Sequence, residues 1–259
     1  MIVVIDVGNT NIVLGFFLKG KFVLERRISS QSQKTEDELY VLLKQYCEQL
    51  KISPDEIQAA VIASVVPEVT STIQKMFKKY LKLSPLIIEG TLDIGIKIPY
   101  SDPSKLGADR ICGVVAVLKK FGGPAIIVDF GTATTYDVIS SKGEYLGGVI
   151  APGIETSAAE LFRRTAKLPK TELIFPQSII ATNTSDAIKS GVMYGAVDAF
   201  EGMVRRLRRA AGKYATVVAT GGYAPLIADM TNEIKYLEPA LVLEGARLIY
   251  EMVSKKGKK

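Results

Sequence analysis

A buried-strand pattern ending in Asp-x-Gly occurs twice in this chain, and the duplication constrains the fold more than any other feature. Ala125-Ile126-Ile127-Val128-Asp129-Phe130-Gly131-Thr132-Ala133-Thr134 is an apolar, branched run that turns tightly into small polar residues. The chain opens on the same pattern, Val3-Val4-Ile5-Asp6-Val7-Gly8-Asn9-Thr10-Asn11-Ile12-Val13. Aligned acid on acid, Gly8 and Asn11 fall opposite Gly131 and Thr134. A third turn, Val217-Val218-Ala219-Thr220-Gly221-Gly222, breaks a short apolar strand with a glycine pair. Glycine lets backbone N–H groups come close to phosphate, and the acid can hold a hydrated cation. One such loop alone is most often only a turn. Two in register, with the Gly221-Gly222 turn behind them, point to phosphate binding.

That order of loops resembles the actin, heat-shock ATPase and sugar-kinase superfamily. The resemblance implies an α/β fold of two duplicated ribonuclease-H-like (actin-like ATPase) domains, with a cleft between them that closes over ATP. A length of 259 residues suits two domains of moderate size. They are expected at 1–120 and 121–259, joined at Lys119-Lys120-Phe121-Gly122-Gly123-Pro124, with the last helix able to pack back on the first domain.

The most useful negative is the complete lack of histidine. It removes Ser-His-Asp and Cys-His catalysis, histidine-ligated zinc and imidazole acid–base chemistry together. Cys47 and Cys112 lie far apart and outside any Cys-x-x-Cys pair, so neither a disulfide scaffold nor a zinc site is expected. No apolar run approaches the length of a membrane span, and Met1 leads directly into a strand and an acidic loop. A cytoplasmic protein without membrane partners is expected. The net charge of +6 gathers in Arg205, Arg206, Arg208 and Arg209 and in Lys255, Lys256, Lys258 and Lys259. Without interleaved aromatics these read as a solvated helix face and a frayed end, so small anions rather than nucleic acid are the expected partners.

Along the chain, 12–17 and 21–24 read as strands paired about Lys19-Gly20. Thr35 and Glu38 form a capping box ahead of Leu39, Leu42, Leu43, Tyr46, Cys47 and Leu50 at helical spacing. A strand over 59–66, a helix over 69–80 and short strands at 86–88 and 94–98 follow. The next helix starts at Pro103 or near Leu106, runs to about Lys120, and in the second case carries Asp109 and Arg110 in its first turn. The second half repeats the three-strand opening at 136–139, 144–146 and 148–150, then a helix to Arg164. A long helix over 185–211 contains Gly191, Gly195 and Gly202; glycine inside a helix costs about 1 kcal/mol, so this spacing reads as room for another helix. The last helix, 240–253, ends at lysines and Gly257.

Together, Asp6-Val7-Gly8-Asn9-Thr10-Asn11, Pro99-Tyr100, Leu106-Gly107-Ala108-Asp109-Arg110, Asp129-Phe130-Gly131-Thr132-Ala133-Thr134, Gly147-Gly148-Val149-Ile150-Ala151-Pro152-Gly153, Leu168-Pro169, Asn183-Thr184 and Thr220-Gly221-Gly222 resemble type III pantothenate kinases over nearly the whole chain. The resemblance implies transfer of the ATP γ-phosphoryl group to pantothenate, the first step towards coenzyme A. It makes Asp109 the general base, Arg110 the clamp on the substrate carboxylate, and Tyr100, Gly107 and Ala108 the frame of the acceptor pocket. Asp6, Val7, Gly8, Asn9, Thr10, Asn11, Ile12 and Val13 would hold the ATP phosphates, and Thr132 would touch the nucleotide. Asp6 would orient Mg²⁺, directly or through water. Asp129 would serve a monovalent cation, K⁺ or NH₄⁺; the residues alone leave that role open against a second magnesium ligand. The family is dimeric, which implies a homodimer with Thr184 contacting pantothenate from the neighbouring subunit.

Two departures from the family pattern, Cys112-Gly113 and Glu244-Gly245-Ala246, read as packing changes. Another kinase or phosphatase of the superfamily would share the nucleotide loops but not 106–110. A non-enzymatic regulator would have no need of both loop acids and Asp109.

Overall fold

The computed structural model describes residues 1–30, 34–165 and 168–256. Contacts divide the chain into two compact units, one formed by Met1–Ala116 with the segment from Leu241 onward, the other by Val117–Ala240.

The first unit opens with three strands in antiparallel succession, β1 (Ile2–Val7), β2 (Asn11–Leu18) and β3 (Lys21–Ser29). After helix α1 (Glu36–Gln49), β4 (Ala59–Ser64) returns parallel to β1; after α2 (Pro67–Met76), β5 (Leu86–Ile87) lies parallel to β4. Parallel neighbours need such crossovers, and the sheet order β3-β2-β1-β4-β5 follows from them. Helix α1 starts where the sequence places it. The Thr35 and Glu38 side chains cap one another's backbone N–H groups, and Leu39, Leu43, Tyr46 and Cys47 face the core beside Phe16, Ile62 and Phe77. Burying side chains of that size contributes roughly 1.5–3 kcal/mol each.

Three local expectations shift. Helix α2 begins at Pro67, where proline's missing N–H costs nothing at a first helical position, and ends at Met76 in a π-type turn over Phe77–Leu81. The expected strand at 94–98 does not form; Gly95 has φ +72°, and of this stretch only Ile94 is buried. Both proposed starts of the next helix are used in part. Pro103 opens a short 3-10 turn capped by Asp102, and α3 proper runs Ala108–Lys120 with Asp109 in its first turn.

In the second unit β6 (Ala125–Phe130), β7 (Ala133–Ile139) and β8 (Tyr145–Pro152) are again antiparallel in succession. Helices α4 (Ile154–Arg164) and α5 (Thr184–Ala211) precede β9 (Thr216–Thr220), which pairs parallel to β6. The short α6 (Ala224–Ala228) and β10 (Tyr236–Leu237) complete the order β10-β9-β6-β7-β8, the same plan as the first sheet. Strand β7 starts three residues before the expected position, and neither α6 nor β10 is foreseen in the sequence. The core of this unit joins Ile126, Val128 and Phe130 to Met193, Val197 and Phe200 of α5.

The last helix, α7 (Leu241–Lys256), belongs to the first unit and packs on β1 and β4. It runs past the expected end at Val253; Gly257, Lys258 and Lys259 lie outside the described residues.

The duplication is one residue less regular than an ungapped alignment makes it. Asp6 and Asp129 are each the fifth residue of a six-residue first strand. Gly8 N–H, however, donates to the Asn11 carbonyl at 2.9 Å, whereas Gly131 N–H donates to Ala133 at 3.1 Å. Val7 pairs with Ile12, and Phe130 with Thr134. The second hairpin is therefore shorter by one, and Thr134 corresponds to Ile12 rather than to Asn11.

Candidate active site

In the first unit the ends of β1 and β4 lie side by side, and everything at that edge is built from short strand termini. Val65 N–H donates to the Val7 carbonyl at 3.1 Å, and Ser30 N–H donates to Thr10 at 3.1 Å, so the loop after Asp6 is tied on both flanks. Val7 and Ile12 are buried anchors; Asp6, Gly8, Thr10, Asn11 and Val13 are half-buried, and Asn9 is exposed. The loop thus presents backbone and small polar groups at the C-terminal end of a parallel pair, where α/β sheets place ligands.

The segment from Tyr100 to Arg110 meets this edge through Gly107 and α3. A Cβ at Gly107 would lie 2.5 Å from Asp109 Oδ1 and in ordinary contact, 3.7 Å, with the Val65 side chain, so a larger residue here would have to displace the Asp109 carboxylate. Asp109 Oδ1 accepts the Arg110 backbone N–H at 2.8 Å. The Arg110 side chain is buried at 8% exposure, and its Nη1 donates to the Tyr100 hydroxyl at 3.2 Å. A buried guanidinium is costly unless its donors are used, and an anionic ligand suits it better than water does.

Asp6 and Asp109 share a neighbour. Cys112, one turn along α3 from Asp109, is fully buried; burial raises its thiol well above the ordinary pKa, and the Asp6 and Asp109 carboxylates push it further. The two acids, Arg110, Tyr100 and Gly107 are therefore elements of one corner of the first unit. Val65 belongs with them and is missed by a reading of sequence alone. It is 39% exposed beside Gly107, and its only signal is an apolar residue just past a strand end, ahead of Pro67.

The second unit repeats the edge. Asp129, next to last in β6, pairs with Thr135 of β7 on one side and Thr220 of β9 on the other. Gly221, at φ +93°, approaches so closely that a Cβ there would fall inside contact with Asp129 Oδ1 and 2.6 Å from the Phe130 backbone. Thr132 is exposed at the loop tip, and its carbonyl accepts the Thr156 hydroxyl at 2.6 Å. Thr184 is the first residue of α5, exposed, behind the Asn183 cap that accepts Asp186 N–H at 2.9 Å.

Among the described residues no three His, Cys, Asp or Glu side chains gather into a metal cage. Asp6 offers one hard oxygen at a loop lined by backbone, the donor set with which Mg²⁺ is held beside phosphates and water. Asp129, in its glycine cradle, is likewise a single hard-oxygen donor.

Two ribonuclease-H-like units, each with an acid-ended first strand and a glycine-bearing loop, place this chain in the actin-like ATPase and sugar-kinase class of fold. The activator of 2-hydroxyisocaproyl-CoA dehydratase from Clostridium difficile, solved with bound ADPNP, has the same fold: TM-score 0.57 over 98% of this chain and 96% of that one, at 13% identity. The family described as type III pantothenate kinase matches residues 2–206. Type III pantothenate kinase of Moorella thermoacetica is 47% identical over 97% of this chain and 99% of its own length. That of Bacillus cytotoxicus is 45% identical over 97% and 96%. The chain belongs to the type III pantothenate kinase family.

Proposed function

We propose that the chain phosphorylates pantothenate with ATP, the first step of coenzyme A biosynthesis, and that Asp109, Arg110 and Tyr100 form its acceptor site. The observation that carries this reading is the buried Arg110, held by the Tyr100 hydroxyl next to a half-buried Asp109. Family membership supports the activity and the use of a divalent cation with ATP.

Phosphoryl transfer asks for positioning and charge neutralisation more than for covalent chemistry, so a chain without histidine can perform it. Arg110 pairs with the pantothenate carboxylate, a charge-assisted contact with geometric preference. Asp109 Oδ1 is engaged by the Arg110 N–H, which leaves Oδ2 to accept the proton of the attacking hydroxyl. The new O–P bond forms as the bond from the γ-phosphorus to the β-γ bridging oxygen breaks, and ADP leaves. Backbone from Val7 to Val13 cradles the phosphates, Thr132 contacts the nucleotide, and Gly107, Ala108 and Val65 wall the pantothenate. Asp6 would hold Mg²⁺, which would supply charge neutralisation on the phosphates. Asp129 in its glycine cradle is assigned to a monovalent cation, K⁺ or NH₄⁺. We place the enzyme in the cytoplasm, where ATP is supplied; no described helix is long and apolar enough to cross a membrane.

A homodimer completes the assignment, with Thr184 reaching the neighbour's pantothenate. Support comes from α5 itself. Side chains added at Gly191 or Gly195 would meet nothing within 4 Å in the single chain, and Ile179 and Ile180, just before the helix, are 63% and 81% exposed. A second copy packed there covers both.

A coupled assay of ATP turnover with and without pantothenate tests the activity. Turnover that appears only with pantothenate is the expected result. Turnover on another alcohol alone, or none with folded protein, Mg²⁺ and K⁺, would overturn it.

A further inference from the structure

The arginine run of α5 takes no part in phosphoryl transfer, and its side chains do not share one fate. Arg206 turns back to donate to the Gly202 carbonyl at 2.9 Å. Arg205, Arg208 and Arg209, with Lys213 beyond the helix end, instead line a cavity of about 410 Å³ together with Glu201 and Glu233. The helical repeat explains the sorting, since 201, 205, 208 and 209 recur on one face.

Charge within the cavity is unevenly used. Arg208 Nη1 pairs with Glu233 at 2.5 Å, and Glu201 accepts the Thr231 hydroxyl at 2.6 Å, so each acid already has a partner. Arg208 Nε is buried without a hydrogen-bond partner. Arg205, Arg209 and Lys213 make no ion pair among the described residues. Complementing the helix dipole would account for basic residues in the last turn. It does not account for a concave space that also recruits Lys213 past the helix and Glu233 from a separate connection.

We propose that this cavity binds a small anion carrying two or more linked phosphate groups. Its volume lies within the span of roughly 300–1,000 Å³ common to small-molecule sites. Three unpaired cations match several anionic oxygens at once, and guanidinium groups take phosphate in a bidentate fork. A duplex or a lipid surface fits less well. Either would lie across the mouth of the cavity instead of filling it. The inference is independent of the acceptor chemistry assigned to Asp109.

The test titrates inorganic tripolyphosphate into the full chain by calorimetry, with pantothenate saturating the acceptor site and Mg²⁺ withheld so that the phosphate loop lacks its cation. Binding of one equivalent is expected. R205E/R209E should weaken it about tenfold or more, the scale of losing two charge-assisted contacts, with pantothenate turnover and helical content retained. R205Q/R209Q should weaken it in the same direction should the reversal prove poorly folded. R206E, the same charge change on the same helix but outside the cavity, should leave affinity within about twofold. Equal loss in R206E, no binding at millimolar tripolyphosphate, or tight binding of a short DNA duplex without tripolyphosphate binding would each overturn the proposal.

Discussion

Gly245 of α7 rests against the backbone of Cys112 in α3; a Cβ on Gly245 would sit far inside contact with the Cys112 carbonyl. The two departures from the family pattern are therefore one feature. A helix pair that closes to backbone distance needs glycine on one side, and α3 carries Asp109 only one turn away.

Gly245→Ala should then cost on the order of 3 kcal/mol, the upper range for forcing a methyl into a packed site. Because α3 must shift to relieve it, kcat should fall as well. Denaturant unfolding together with steady-state kinetics checks both, and unchanged stability would refute the close packing.

Asp109→Asn should lower kcat by roughly 10²–10⁴-fold, the span for losing a general base, while ATP binding measured by nucleotide fluorescence persists. Wild-type turnover would remove Asp109 from the role.

Asp129 predicts a dependence on monovalent cations in addition to Mg²⁺. Rates in sodium-only buffer should rise on adding potassium or ammonium at constant ionic strength, and Asp129→Ala should lose that response. Identical rates in all three salts would contradict the assignment.

Thr184 can be tested by complementation. Mixing an Asp109→Ala chain with a Thr184→Arg chain gives heterodimers in which one pocket carries both lesions and the other neither. Activity should return to about a quarter of wild type on random mixing, since half the dimers then hold one intact pocket of two. Mixed dimers that form yet stay inactive would place Thr184 in its own subunit's pocket.

The buried thiols predict an alkaline limit on stability. Burial first, then Glu48 and Glu56, push Cys47 from an ordinary 9.0 up to about 11, and Cys112 is also raised. The folded chain therefore holds protons that the unfolded chain releases. For Cys47 this contribution is intact below pH 9 and is lost between 9 and about 11, at about 1.4 kcal/mol per pH unit, and Cys112 acts in the same direction. Urea unfolding at stepped alkaline pH should show this decline, shallower in Cys47→Ala. A slope unchanged by that substitution would exclude Cys47 as its source.

Much of the fold was legible because its signals are local. The capping box at Thr35, the branched strands ahead of Asp6 and Asp129 and the Asn183 cap each declare themselves within a few residues. Contacts between distant segments were not legible. Nothing near Gly245 in the chain reveals that its partner is Cys112, and Val65 earns a place in the site only because β4 ends beside β1. The one-residue difference between the two hairpins also hides in sequence, since Asn11 and Thr134 are both small and polar while the ladder alone decides their register. Asp137 is a further case, a carboxylate buried to 3% exposure that accepts the Tyr145 hydroxyl at 2.8 Å across neighbouring strands.

The return of α7 to the first unit also sets an order of events during synthesis. Strands β1 and β4 leave the ribosome early, yet the helix that packs on them, and on β2 through Leu243 at Gly15 and Arg247 over the Phe17 ring, is translated after the whole second unit. The second unit is contiguous and can consolidate as it emerges. The first must wait with an apolar sheet face uncovered, and its closing step carries the loop-closure cost of contacts between the two ends of the chain. Overexpressed protein is therefore most vulnerable to aggregation in the interval before residue 241 is made, and a nascent chain arrested there should be bound by chaperones through β1 and β4.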